Sequence, residues 1–219
     1  NNKNIRIERI HMEEDAGKNT HAGTFASLVD LNRAGTPLLE IVTKPDISNS
    51  HEARAYLKEL HAIVVELGVC SGNMEEGAFR GDANVSVRKK GATKLGTKCE
   101  LKNINSFKFI SDAVDYEIER QINELESGGV IRQQTRLWNT KEKRTYVMRE
   151  KETADDYRYF ADPDVPPLFI DSEWIESVRK VLPELPQQKK ERFIKQFSLT
   201  EYEASVLVDD KDAAWYYEE

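Results

Sequence analysis

The chain has 219 residues, 39% hydrophobic and 32% charged, enough apolar material for one sizeable core and the start of a second. Its 32 basic against 39 acidic residues leave a formal charge of −7, and no apolar run approaches the roughly 18 positions of a membrane span. That excludes a bilayer protein and argues against a bulk electrostatic grip on nucleic acid, though not against a local basic groove; two cysteines without a framework, Cys70 and Cys99, and no secretory pattern at the N-terminus point to a reducing compartment.

Residues 3–48 alternate with the two-residue period of half-buried strands, at Ile5, Ile7 and Ile10, then Phe25 to Leu31, then Leu38 to Val42. Turn chemistry separates them at Asp15-Ala16-Gly17 and at Ala34-Gly35-Thr36-Pro37. Ser50 reads as the N-cap of an amphipathic helix that ends at Gly68. Strands return over 74–103, with Ala83, Val85 and Val87 alternating against Asn84, Ser86 and Arg88. A second helix spans Ser106 to Glu126 and stops at Gly128-Gly129, and a hairpin joins Gln133–Trp138 to Arg144–Glu150 through residues 139–142. Around Asp162-Pro163-Asp164-Val165-Pro166-Pro167 the backbone loses donors and φ freedom, which predicts a stiff connector and a domain boundary. Helical patterns follow from Asp171 or Ser172, from Pro186, and on to Glu219. The order of elements predicts an α+β fold with an antiparallel sheet over 1–168 and a helical domain over 169–219.

Carboxylates stand beside apolar strand positions. Glu40, inside the run Leu38–Val42, is costly to desolvate unless paired or bound to a cation. Glu14 follows the first strand, and if the first and third strands are neighbours both carboxylates reach one cavity. Two readings stand side by side: a hard divalent cation bridging carboxylates to phosphates, or ordinary ion pairs with nearby Lys and Arg. In the stretch from Gly72 to Asn84, glycines are mixed with Glu76, Arg80, Asp82 and Asn84 at the start of a strand. Arg80 can fork onto phosphate oxygens while Glu76 or Asp82 holds the screening cation; alternatively the stretch is a hairpin whose Arg80 pairs with a neighbouring acid. His11 beside Met12-Glu13-Glu14 is a ligand, a general base or a packed strand residue. Neither GxxxxGK[ST] nor GxGxxG occurs.

The strings HMEEDAGK (11–18), SLVDLNRAGTPLLEIVTKPD (27–46), GNMEEGAFRGDANVSVR (72–88), ELKNINSF (100–107) and DDYRYFADPDVPPL (155–168) closely resemble the B subunits of the glutamyl-tRNA(Gln)/aspartyl-tRNA(Asn) amidotransferases, in order and over essentially the whole chain. The resemblance implies a cradle-shaped catalytic domain related to glutamine synthetase and guanidino kinases, followed by a helical domain. It implies a ligase component that uses ATP and Mg²⁺ to phosphorylate the side-chain carboxylate of Glu-tRNA(Gln) or Asp-tRNA(Asn), ammonia then displacing phosphate. The implied partners are a glutaminase (A) component that supplies ammonia from glutamine, a small (C) component completing a heterotrimer, and misacylated tRNA. The implied location is the cytoplasm, or an organellar matrix in a eukaryote. Position by position, Glu14 and Glu40 match the acidic Mg²⁺ ligands, while Glu76, Arg80, Asp82 and Asn84 fall on the catalytic rim, Arg80 and Asn84 toward the nucleotide. The family's N-terminal GLE-x-H strand and C-terminal tail domain have no match, so the chain reads as the middle of a longer protein and is expected to be inactive alone. The competing reading is a non-catalytic tRNA-docking or assembly module of the same complex.

Overall fold

A computed structural model describes residues 3–22, 26–150 and 166–219. Packing divides the chain into two compact units, Asn1–Ser48 and Asn49–Glu219.

The first unit carries β1 (Ile7–Glu14), β2 (Lys18–Ala22), β3 (Ala26–Asp30) and β4 (Pro37–Thr43), arranged as two antiparallel ribbons, β1 with β4 and β2 with β3. The two turns expected from sequence meet at one end of the β1–β4 ribbon. The Asp15 amide donates to the Thr36 carbonyl at 2.8 Å, the Gly35 amide to the Asp15 carbonyl at 3.0 Å, and Arg33 pairs with the Asp15 carboxylate at 2.9 Å. Gly35 holds φ +76°, a conformation that costs a glycine nothing. At the other end Arg6 forks onto Asp46 at 2.9 and 2.6 Å and adds its backbone amide at 3.0 Å. Those hydrogen bonds, helped by the guanidinium charge, hold the Asp46 carboxyl well below the usual carboxylate range.

In the second unit, α1 (Ser50–Glu66) is capped by Asn49, whose side chain accepts from the Glu52 amide at 2.9 Å. The cap is thus one residue earlier than the Ser50 expected; Asn49 has the extended backbone that aims its side chain at the free amides, whereas Ser50 is already helical. Next come β5 (Ala83–Val85), β6 (Cys99–Lys102), α2 (Phe107–Glu126), β7 (Gln134–Asn139) and β8 (Arg144–Glu150), with the sheet ordered β5-β6-β7-β8. Ser106 caps α2 through the Phe109 amide, and Asn139 shapes the β7–β8 turn by accepting from the Lys141 and Glu142 amides at 3.0 Å each. The α+β class and the hairpin are as read from sequence, but the sheet is mixed, because β6 and β7 run parallel. Parallel neighbours need a long crossover, and α2 supplies it.

α2 lies on one face of this sheet. Leu101 and Cys99 are wholly buried there, with Ile110, Ala113 and Val114 from the helix. Two polar residues complete the buried stripe, Glu117 and Gln121, both fully buried. Glu117 accepts from Arg120 at 2.6 and 2.9 Å and from Gln121 at 2.8 Å, and Arg136 of β7 stands 3.5 Å away. Gln121 also donates to the Val85 carbonyl at 3.0 Å, and Arg136 to the Thr145 hydroxyl at 2.8 Å. Desolvation pushes the Glu117 carboxyl up, but the hydrogen bonds and the two guanidinium charges outweigh it and the net shift is downward. An ion cluster thus clips α2 to β5, β7 and β8.

The remaining helices are α3 (Ser172–Val181), α4 (Pro186–Phe197), α5 (Glu201–Val208) and α6 (Lys211–Glu218). Asp171 caps α3, and Thr200 with Glu203 forms a reciprocal capping box on α5. Phe193, Ala204 and Ala214 form the small core of the last three helices, where Phe193 meets Phe197 edge-on at 5.4 Å. Lys189 and Lys211 reach the end of α1, one on the Glu66 carboxylate and the other on its carbonyl, each at 3.2 Å. The boundary expected at 168/169 rests on the connector at 162–167, whose residues up to 165 lie outside the described residues.

Candidate active site

The face of the sheet opposite α2 is polar, with Asn84 and Arg149 exposed, Glu100 and Lys102 half-buried and Thr135 buried. Asn84 pairs with Glu100, Glu100 with Thr135, and Thr135 with Arg149 across the ladder. Alternation then fixes the rest, because the intervening Val85, Leu101 and Arg136 point to α2. Asp82, one step before β5, meets this row through Lys102. The Lys102 ammonium lies 2.8 Å from Asp82 and 3.2 Å from Glu100, and the Thr135 hydroxyl donates to the second Glu100 oxygen at 2.9 Å. Burial pulls the ammonium pKa down, but the two carboxylates more than compensate and the net shift is upward, so Lys102 is a fixed cation. Arg149 reaches the Thr135 hydroxyl at 3.5 Å. The face therefore holds two cations and two carboxylates in one connected row.

The loop leading into β5 is laid against α1 by its glycines. Leu57, His61 and Val65 follow one another at intervals of four, forming one stripe of α1. Gly72 has φ +74°, and a Cβ on it would collide with the His61 ring and come within 2.6 Å of Val65; one on Gly81 would sit 3.0 Å from Leu57. His61 also contacts the Gly72 carbonyl at 2.9 Å and stacks edge-on with Phe79 and Phe107. Asn73 accepts from the Glu75 and Glu76 amides, tightening the turn. With Gly72, Phe79 and Gly81 turned to α1, Glu76, Arg80, Asp82 and Asn84 are exposed. Asp82 and Asn84 stand on the polar sheet face, while Glu76 and Arg80 sit on the loop before it.

The two carboxylates of the first unit do not come together. β1 and β4 are neighbours as expected, but the register sets Glu40 opposite His11 and Glu14 opposite Pro37. Glu14 is three steps along the strand from His11, an odd number, so Glu14 and Glu40 lie on opposite faces of the ribbon. The half-buried face holds His11, Glu13 and Glu40; the other exposes Met12, Glu14 and Leu39. Glu40 pairs with Arg9 at 3.2 Å, and both side chains are about half exposed. This corrects the expected convergence on one cavity. Among the described residues no three histidine, cysteine or carboxylate side chains gather as a metal-binding group.

Three residues of this face are not singled out by the sequence as site residues: Lys102, Thr135 and Arg149. Only ELKNINSF contained a signal, since it carries Glu100 and Lys102 two apart on a strand whose intervening Leu101 is apolar. The motif at 155–168 lies almost entirely outside the described residues. No helix among them is long and apolar enough to cross a membrane.

Comparison with known proteins gives these segments a common setting. Residues 1–176 match the family model described as the GatB/GatE catalytic domain. The chain is 56% identical over 217 residues to the B subunit of the aspartyl/glutamyl-tRNA(Asn/Gln) amidotransferase of Nitrosospira multiformis, covering 99% of this chain and 44% of that protein. The same-named proteins of Persephonella marina and Thermodesulfovibrio yellowstonii are 56% and 52% identical, covering 98% and 99% of this chain and 45% and 46% of theirs. The chain spans under half the length of these relatives. With four-fifths of its length inside one family model, the chain belongs to the GatB/GatE catalytic-domain family.

Proposed function

We propose that this chain is catalytic-domain sequence of the B component of a tRNA-dependent amidotransferase, and that it activates the side-chain carboxylate of Glu-tRNA(Gln) or Asp-tRNA(Asn) for amide formation. The observation that carries the reading is the family match over residues 1–176, within which the 72–88 and 100–107 segments meet on one polar sheet face. A carboxylate is a poor electrophile because its leaving group would be oxide. When bound, ATP supplies the phosphoryl group that makes that oxygen a leaving group, so that ammonia can take its place on the carbonyl carbon and phosphate departs.

The residues of the chain have work suited to this. Lys102, held between Asp82 and Glu100, keeps its remaining N–H donor for an anionic oxygen, and Arg149 offers a planar fork on the same row. The two carboxylates fix the ammonium in place, so the cation need not reorganise as negative charge builds on a transferring group. Gly72 and Gly81 hold the loop that carries Glu76 and Arg80 against α1. Mg²⁺ belongs to the proposal as the expected companion of ATP, and Glu14 and Glu40, the acids matched to its ligands, face apart in this ribbon. That placement is also what favours the second reading, a tRNA-docking module. Partners by this proposal are the glutaminase and small components of the complex and misacylated tRNA, in the cytoplasm.

The test is ATP-dependent conversion of Glu-tRNA(Gln) or Asp-tRNA(Asn) to the amide by the full-length protein with its partners. Phosphate release coupled to amide formation is the expected result. Tight tRNA binding without phosphate release would replace the proposal with the docking module.

A further inference from the structure

One feature of the second unit has no place in that chemistry. Between Asp82 and Glu100 the chain, acidic as a whole, has no acidic residue and five basic ones, Arg88, Lys89, Lys90, Lys94 and Lys98. All five are exposed. The loop they occupy is shaped: Gly91 turns with φ +86°, the Ala92 amide donates to the Lys89 carbonyl at 3.0 Å, and Arg88 donates to the Thr93 carbonyl at 2.8 Å. Gly96 lies so close to the Val87 carbonyl that a Cβ there would collide with it. Arg88 thus serves the loop itself, and the four lysines are the cations it displays. Between the loop and the end of α2 lies a groove of about 390 Å³, rimmed by Lys89 and Lys94 and floored by Leu125, Val130 and Ile131. Glu124 and Glu126, nearby on α2, do not line it.

We propose that Lys89, Lys90, Lys94 and Lys98 dock the phosphodiester backbone of the tRNA substrate. The inference rests on the proposed function and adds where the RNA is gripped. Lysines on a short loop act as point charges toward phosphates and carry no base information. None of the groove-lining residues is aromatic, so stacking of unpaired bases, the other common mode of holding RNA, has no platform here. The occupant is therefore the backbone of a folded RNA. An acidic loop partner on another protein is the competing occupant and an outcome of the test.

The experiment uses the full-length protein assembled with its partners, and unmodified tRNA(Gln) transcript as the probe. Affinity is measured from about 50 to about 200 mM salt for the parent, for a variant with all four lysines changed to Gln, and for one with all four changed to Arg. The Gln variant is expected to lose at least about tenfold in affinity at the lower salt, and its log–log salt slope is expected to fall by about 3, at roughly 0.7–0.9 per phosphate contact. The Arg variant keeps the parent slope. Thermal melts of all three should coincide, because the side chains changed are exposed. An unchanged affinity and slope in a folded Gln variant overturns the inference, as does loss of co-assembly with the partner proteins at unchanged RNA affinity. Amide formation by the parent is read separately: its failure removes the functional reading, while the salt slopes still decide whether the loop holds RNA.

Discussion

Lys102 has the most consequential placement of any single residue. Its ammonium separates the Asp82 and Glu100 carboxylates, and its own side chain is only a third exposed. A partly exposed ion pair contributes about 0–1 kcal/mol to stability, whereas a fixed cation beside a developing anion supplies about 3 kcal/mol to a rate. Lys102→Met is therefore expected to lower the rate of ATP-dependent amide formation about 100-fold while moving the melting temperature by no more than a few degrees, measured on the same preparation. Asp46 makes a different prediction. Its carboxyl is depressed by the Arg6 hydrogen bonds, so the folded state binds that proton less readily than the unfolded chain. The stability this contributes is fully present above the ordinary carboxylate value near pH 4 and is lost as pH falls from there toward the much lower folded-state value. Acid unfolding of the first unit, followed by amide signals of β1 and β4, should therefore begin at higher pH in Arg6→Ala than in the parent. Identical acid limbs would show that the fork contributes nothing.

Among the elements, α2 shows how a helix face is defined by what it meets. Its apolar residues Phe109, Ala113, Tyr116, Ile118 and Ile122 suggest a stripe, yet the buried face runs through Ile110, Ala113, Val114, Glu117 and Gln121 and leaves Ile122 40% exposed. Two polar side chains occupy that face because Arg136 and the Val85 carbonyl come to meet them from the sheet. Removing the carboxylate strands two guanidinium groups, one of them nearly buried, so Glu117→Ala should cost about 3–5 kcal/mol, and Glu117→Gln less, in urea unfolding. A second test concerns the loop on α1. Gly72→Ala brings a methyl group into His61 and Val65 at a positive φ, and should cost about 1–3 kcal/mol. The same substitution at Gly91, where nothing lies within reach of a Cβ, meets only the backbone term. The difference between the two costs reports the packing of the loop against the helix.

At the level of the whole chain, the two compact units are built to different standards. The first consists of two-stranded ribbons, which are marginal by themselves, and its β1–β4 ribbon leaves Ile10 59% and Met12 75% exposed. The second has a four-stranded sheet covered on one face by a 20-residue helix and tied to it by a buried ion cluster. Hydrogen exchange followed by mass spectrometry should accordingly find amides of β1 and β4 exchanging well before those of β6 and α2. Equal protection would mean that the ribbon's exposed face is covered in solution.

What the sequence determined by itself was whatever depends on near neighbours. The period of α1, the two helix stops and the Asn139 turn are all set within a few residues, and so is the motif order that places the chain in its family. The tertiary structure alone decided what depends on distant pairing. A two-residue period says which residues of one strand share a face, but not which residue of another strand lies opposite. Ladder register and the intervening turns set that, and a single step put Glu14 and Glu40 on different sides. The same non-local pairing made β6 and β7 parallel, turned Glu117 from an apparent surface residue into a buried one, and gathered Asp82 with Glu100 and Lys102 into one charged cluster.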